Sequence, residues 1–217
     1  MRVADLYCCA GGASAGYVLA GHEVVGVDIR VQPNYPYEFF QHDVMDLSAA
    51  WLRRNFDAVH ASPPCQGYSM TRTLPGPKRD VPLLIEPTRR LLLESGLPYV
   101  IENVVGAPLI NPVMLCGTMF GLTASWKEWV VYLQRHRLFE LSGMDVDDLA
   151  CDHSIGVRAV TVAGHGRMGL RDNGADIFSG PGYQDLCNRI MDIGWMTRDE
   201  LNESIPPAYT RYIGEAM

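Results

Sequence analysis

RVADLYCCAGGASAGYVLAGHEVVGVD, residues 2–28, decides the fold. An apolar run over Val3–Tyr7 breaks into a Gly/Ala/Ser turn, a helical stretch follows to about Ala20, and a second apolar run, Glu23–Asp28, ends in an acid. A strand, a tight small-residue turn, a helix and another strand form the unit from which parallel sheets are built. The alternation continues outward. A weaker strand is expected over Phe39–Asp43, a helix capped by Ser48 runs to Asn55, and Asp57–Ala61 forms a strand that breaks into SPPCQG. Val81–Ser95 is helical in pattern, Tyr99–Glu102 is strand, and Trp129–Leu141 is β-rich enough for a hairpin. The expected class is α/β, a mostly parallel sheet with helices on both faces.

Residues 142–200 break this rhythm. They are rich in Gly and Asp, with isolated apolar runs such as Val157–Val162, and read as a small irregular insert. SIPPAYTRYIGEAM then turns at Pro206–Pro207 and closes with a short helix. The expected organisation is therefore a catalytic domain at 1–141, an insert at 142–200, and a segment at 201–217 that returns to the first part.

A chain of 217 residues with 47% hydrophobic and 20% charged residues is neither disordered nor fibrous. It can bury enough surface to fold without staples. Six scattered cysteines therefore suit reduced thiols rather than a disulfide framework. Asp5 interrupts any apolar leader, and no run reaches the roughly 18 apolar residues of a membrane span, so a cytoplasmic protein is expected. The net charge of −7 argues against a general polyanion binder, but the cations are sixteen arginines against two lysines, Lys78 and Lys127. Arginine is the side chain that grips phosphates and base edges in a fork.

In an open α/β sheet, ligands sit beyond the carboxyl ends of the strands. Three such ends carry unusual residues. The first, DLYCCAGGASAG, offers backbone N–H groups and a helix N-terminus but matches neither G-x-G-x-x-G nor a P-loop. With Asp28 placed to accept from ribose hydroxyls and Asp43 near an adenine amine, it suggests an adenosine-containing cofactor bound without phosphate recognition. The second, ASPPCQGYS, puts Cys65 in a loop fixed by two prolines, where a thiol can have a lowered pKa and act as a nucleophile. The third, VIENVVG, ends a strand on Glu102, whose partial desolvation would raise its pKa into the proton-donating range. A thiolate that adds to a pyrimidine ring, an acid beside the ring nitrogen and an adenosine pocket are the parts needed to methylate a ring carbon.

In this order the motifs resemble those of the DNA (cytosine-5)-methyltransferases. DLYCCAGGASAG, GVD and HDVMDL are similar to the cofactor motifs, ASPPCQGYS to the Pro-Cys-Gln motif, and VIENVVG to the Glu-Asn-Val motif. LCGTMFGL with RHRLFEL is similar to the Arg-x-Arg segment, and SIPPAYTRYIGE to the closing motif. The resemblance covers about residues 3–141 and 202–215 and implies a Rossmann-like methyltransferase fold using S-adenosyl-L-methionine. It implies that Cys65 attacks carbon 6 of a flipped cytosine, Glu102 holds ring nitrogen 3 and the exocyclic amine, and Asn103 braces the nucleophile loop. Arg135 and Arg137 would sit near the base, one on its carbonyl oxygen. Tyr7, Gly11, Gly12, Asp28, Ile29, Asp43, Val44, Pro64 and Ser204 would be on the cofactor side. Cys9, Tyr7, Leu133 with Gln134, and Asn202–Glu203 depart from the family pattern, but none removes a reacting group.

The family reads DNA through the stretch between the Arg-x-Arg and closing motifs. Here that stretch carries ten acids and five arginines, yet His153–Arg171 has no acid. Arg158, His165, Arg167 and Arg171 are the candidate groove-facing residues, with Arg72, Lys78 and Arg79 on a lid after the nucleophile. Duplex DNA is the expected partner, and a restriction endonuclease partner is compatible. The same chemistry on single-stranded DNA, RNA or a free nucleotide, or a catalytically silent DNA-binding subunit, stays open. Cys151, His153, His165 and Cys187 fit no usual zinc spacing, so no metal is expected.

Overall fold

The computed structural model describes residues 1–68, 81–154, 158–162, 171–172, 175–176 and 181–217. Its main sheet has seven strands in the order β3-β2-β1-β4-β5-β9-β6. These are β1 (Arg2–Leu6), β2 (Glu23–Asp28), β3 (Glu38–Gln41), β4 (Ala58–Ala61), β5 (Tyr99–Asn103), β6 (Val113–Leu115) and β9 (Arg137–Ser142). β3, β2, β1, β4 and β5 are mutually parallel, while β9 runs antiparallel to both β5 and β6.

The central strands are apolar on both faces because helices cover both. On one face Ala4, Leu6, Val25, Val27, Val59 and Ile101 pack with Leu52 and Phe56, at and just after α2 (Ala49–Asn55), and with Leu92 of α3 (Ile85–Ser95). On the other, Val3, Val24, Ala58 and Val100 meet Ala13 and Tyr17 of α1 (Gly12–Leu19) and Tyr209 and Ile213 of α6 (Pro207–Gly214). Local signals set the helix ends. The Ser48 hydroxyl accepts from Trp51 N–H at the start of α2, Gly96 closes α3 at φ 68°, and Pro207 opens α6.

The C-terminal helix is seated by glycines. A Cβ at Gly12 would lie 1.9 Å from Ser204 Oγ, and one at Gly16 would lie 2.0 Å from Thr210 Oγ1 and 2.2 Å from the Pro207 carbonyl. Bare backbone on this face of α1 therefore lets α6 approach, and Thr210 Oγ1 donates to the Ala13 carbonyl at 2.8 Å.

A second, smaller sheet has the order β10-β8-β7, with β7 at Thr123–Trp126, β8 at Trp129–Leu133 and β10 at Arg158–Val160. Trp126, Val131, Leu133, Val160 and Val162 share a buried cluster with Leu186, Cys187, Ile190 and Met191 of α4 (Tyr183–Met191) and Leu201 of α5 (Arg198–Glu203).

Two expectations change. Trp129–Leu141 is not a hairpin: β8 pairs with β7 and β10, whereas β9 crosses to the main sheet, so the chain between them passes from one sheet to the other. The stretch 142–200 is not irregular throughout, since α4 and the first half of α5 lie in it, and both helices contribute to the second core. No described helix is long and apolar enough to cross a membrane.

Candidate active site

Parallel pairing brings the carboxyl ends of β1, β2, β4 and β5 to one rim. Because β9 is antiparallel to β5, with Asn103 opposite Leu138, it is the amino end of β9 that arrives there. The rim thus gathers the loop after Leu6, Asp28, the loop after Ala61, Glu102–Asn103 and Arg135–Arg137.

After β1 the backbone turns sharply, with Tyr7, Cys9 and Gly11 at φ 61°, 44° and 86°. Gly11 precedes α1 without a side-chain cap, leaving the first N–H groups of the helix to other partners. Asp28 is buried, and its carboxylate accepts from the N–H of Cys9 at 3.2 Å and of Arg30 at 2.9 Å. Beside it Ile29 is 59% exposed. Asp43 is half-buried, accepts from Met45 N–H and precedes buried Val44. Tyr7 hydroxyl lies 2.9 Å from Thr88 Oγ1, on the α3 side. Gly12 and Ser204 meet each other, so the C-terminal segment itself occupies the space over Gly12.

Cys65 opens a 3-10 turn, Cys65–Gly67, directly after half-buried Pro64. Asn103 holds this loop: its Nδ2 donates to the Pro63 carbonyl at 2.8 Å, and its Oδ1 accepts from Val104 N–H. Glu102 is buried and pairs with Arg137, Nε to Oε1 3.0 Å. Burial pushes its carboxyl above the usual range, and Arg137, Ser62 and Arg135 pull it back. The expected lowering at Cys65 is corrected. Burial raises the thiol, Arg137 opposes this and Glu102 adds to it, leaving the net shift upward.

Arg135 is 3% exposed. Its Nη2 donates to the carbonyls of Asn202 at 2.8 Å and Ser204 at 2.6 Å, while its Nε and Nη1 have no partner among the described residues. Burial, with Arg137 nearby, brings its pKa down to about 9. A buried guanidinium with two unused donor nitrogens fits an acceptor supplied by a ligand.

Behind Glu102 lies a row of groups that sequence reasoning missed. Tyr17 hydroxyl is 3.0 Å from His60 Nδ1, and His60 Nε2 is 2.9 Å from Ser62 Oγ, which bonds Glu102. Burial lowers His60 to about 3, so its ring is neutral and has one donor. The consistent arrangement runs from Tyr17 O–H to Nδ1, from Nε2–H to Ser62, and from Ser62 O–H to Glu102. Spacing offered no signal for it, because the three residues come from a helix, a strand and a loop. Trp195 is likewise unforeseen; its indole N–H donates to the Ala10 carbonyl at 2.9 Å and ties the second core to the loop after β1.

Of the expected nucleic-acid residues, Arg72, Lys78, Arg79, His165 and Arg167 lie outside the described residues, and Arg171 is described only as backbone in a short strand. Arg158 stacks its guanidinium 4.4 Å over the Trp129 ring. Cys187 is buried in the second core and His165 lies outside the described residues, whereas Cys151 and His153 converge with Cys116 and His136. Tertiary contact, not spacing, assembles that group.

No protein-family model matches the chain. It is 34% identical over 116 residues to the type II methyltransferase M1.HphI of Haemophilus parahaemolyticus, a match covering 46% of this chain and 31% of that protein. The S. pombe Dnmt2 methyltransferase superposes with a TM-score of 0.59 at 13% identity, covering 98% of this chain and 97% of that one. DNMT2 of Spodoptera frugiperda gives a TM-score of 0.45 at 19% identity, over 64% and 48% of the two chains. Over the matched segment this chain is thus similar to a type II methyltransferase, of which it spans about a third of the length, and its Rossmann-like fold is similar to that of the S. pombe Dnmt2 methyltransferase.

Proposed function

We propose that this chain transfers a methyl group from S-adenosyl-L-methionine to carbon 5 of cytosine in DNA, with Cys65 as the covalent nucleophile. The observation that carries the reading is the meeting of Cys65, Glu102 and the Arg135–Arg137 pair at one rim, with two buried nitrogens of Arg135, Nε and Nη1, unused among the described residues. The similarity to a type II methyltransferase supports it.

The rim also fits the cofactor. The Asp28 carboxylate accepts two backbone N–H groups and keeps acceptor capacity for ribose hydroxyls, exposed Ile29 offers an apolar surface for a purine, and uncapped N–H groups open α1. Asp43 and Val44, just past the next strand, are the candidates for the base, and Tyr7, Gly11, Gly12, Pro64 and Ser204 are the remaining cofactor-side candidates. When bound, S-adenosylmethionine supplies an electrophilic methyl group.

The chain's own residues would act as follows. Cys65 gives up its proton to solvent and its thiolate sulfur adds to carbon 6 while Glu102 shares a proton with nitrogen 3, so the ring electrons collect at carbon 5. Arg135 donates to the ring carbonyl oxygen, and Arg137 keeps Glu102 aimed. After carbon 5 takes the methyl group, a base removes its proton, the carbon 5–carbon 6 double bond re-forms, and Cys65 leaves as thiolate. Because a duplex hides its bases, the target must leave the stack. Arg72, Lys78, Arg79, Arg158, His165, Arg167 and Arg171 are the candidates for holding the DNA, chiefly from the 142–200 stretch.

Fluorine at carbon 5 cannot be lost as a cation, so DNA carrying 5-fluorocytosine should trap the adduct at Cys65 in the presence of S-adenosylmethionine. A denaturation-stable adduct absent from Cys65→Ala is expected. No Cys65-dependent adduct on any DNA would overturn the reading.

A further inference from the structure

Four side chains of metal-ligating type converge from distant points of the chain. Cys116 follows β6, His136 lies between Arg135 and Arg137, and Cys151 and His153 follow β9. Cys116 is buried and the other three are half-buried. All four donor atoms lie within 4.8 Å of one another. Cys116 Sγ to His153 Nε2 is 3.5 Å, His136 Nε2 to Cys151 Sγ 3.5 Å, and Cys151 Sγ to His153 Nε2 2.9 Å. Zinc bonds of about 2.3 Å to sulfur and 2.0–2.1 Å to nitrogen place the corners of a tetrahedron about 3.3–3.8 Å apart. The observed separations bracket that range, so small side-chain adjustments suffice.

We propose that Cys116, His136, Cys151 and His153 bind one Zn2+ in a closed, structural Cys2His2 site. Four protein donors leave no open position, which separates this site from the catalytic zinc class. Thiols and imidazoles are weak mutual hydrogen-bond partners, so a facing set of two and two is poorly explained by stability alone. Binding converts both thiols to thiolates, releases two protons and leaves the centre neutral.

The surroundings suit the ion. Thr118 Oγ1 lies 3.4 Å from Cys151 Sγ and can donate to a thiolate. The Gln134 amide lies 3.5 Å from His153 Nδ1, so with its oxygen turned to the ring it accepts the Nδ1–H of a metal-bound imidazole. Tyr132 stacks on the His153 ring, with centroids 6.0 Å apart. The ion would join the end of β6, the Arg135–Arg137 segment and the start of the 142–200 stretch, fixing the crossing between the two sheets beside the active rim.

The test is to titrate the reduced, metal-stripped full chain with Zn2+ and with Co2+. Uptake of one ion per chain, a tetrahedral cobalt spectrum with thiolate charge-transfer bands, and a melting temperature raised by metal are expected. Cys65→Ala should retain the ion, Cys116→Ser and Cys151→Ser should lose it, and Gln134→Ala should weaken it about tenfold. Should the serine variants fail to fold, the cobalt spectrum of the unsubstituted chain decides, since two thiolates and two imidazoles have their own signature. No stoichiometric uptake under reducing conditions, an octahedral cobalt spectrum without thiolate bands, or uptake unchanged by both serine substitutions would overturn the proposal.

Discussion

Asp5 and His60 are opposed in register on β1 and β4, on the face covered by α1. Burial moves them in opposite senses. Asp5 is raised from 3.8 to about 7, with Ser14 opposing, and His60 is lowered from 6.5 to about 3. Between about pH 4 and 7 the native chain holds more protons at Asp5 than the unfolded chain does, so this contribution to stability falls as pH rises. Between about pH 3 and 6.5 it holds fewer at His60, so that contribution rises with pH. Over the overlap the two slopes oppose. Asp5→Asn should therefore make the slope of stability against pH between pH 4 and 6.5 more positive than the parent's by about 1.4 kcal/mol per pH unit. Denaturant unfolding at several pH values checks it, and parallel curves for the two proteins would contradict it. At the rim, burial raises both the Cys65 thiol and the Glu102 carboxyl, and Arg137 opposes each shift. Glu102→Gln should lower the transfer rate by about 10²–10⁴-fold in steady-state assays while leaving cofactor binding intact.

At the scale of elements, the contact between α1 and α6 is set by missing side chains. Gly16→Ala places a methyl against the Pro207 backbone as well as the Thr210 hydroxyl, so α6 must shift rather than a side chain rotate. We expect about 1–3 kcal/mol of destabilisation by denaturant unfolding. A second tie is the buried pair Arg89–Glu140. Its bonds, Nε–Oε1 2.8 Å and Nη2–Oε2 2.7 Å, hold α3 against β9, and Glu140 also accepts from Ile110 N–H. Arg89→Ala strands that carboxylate and should destabilise by about 3–5 kcal/mol, whereas a loss below 1 kcal/mol would show the pair to be dispensable.

β1, α1 and β2 were legible because turn glycines separate patterns of different period, and Ser48 was legible as a cap. The Trp129–Leu141 misreading has a physical cause. β8 and β9 are both apolar enough to be strands, but periodicity says nothing about which neighbour a strand will pair with. α4 and α5 were missed in a Gly/Asp-rich stretch, although Thr197 with Glu200 is a capping box visible in sequence.

Across the whole molecule, two cores meet at the rim. Trp195 reaches the loop after β1, and Arg135 holds the carbonyls of Asn202 and Ser204. Cys65, Glu102, Asn103 and the arginine pair were readable because each sits in a compact motif at a strand end. The Tyr17–His60–Ser62 row and the Cys116–His136–Cys151–His153 group were not, since folding assembles them from remote positions. On the proposed function, a net charge of −7 leaves DNA engagement to local arginines, so DNA binding, measured at rising salt, should weaken steeply.

The central claim is tested most directly by incubating the protein with labelled S-adenosylmethionine and duplex DNA, single-stranded DNA, RNA or dCMP, with Cys65→Ala alongside. Label at carbon 5 of cytosine in duplex DNA, absent from the variant, is the predicted result. Label on a different substrate alone, or none anywhere despite cofactor binding, would contradict it.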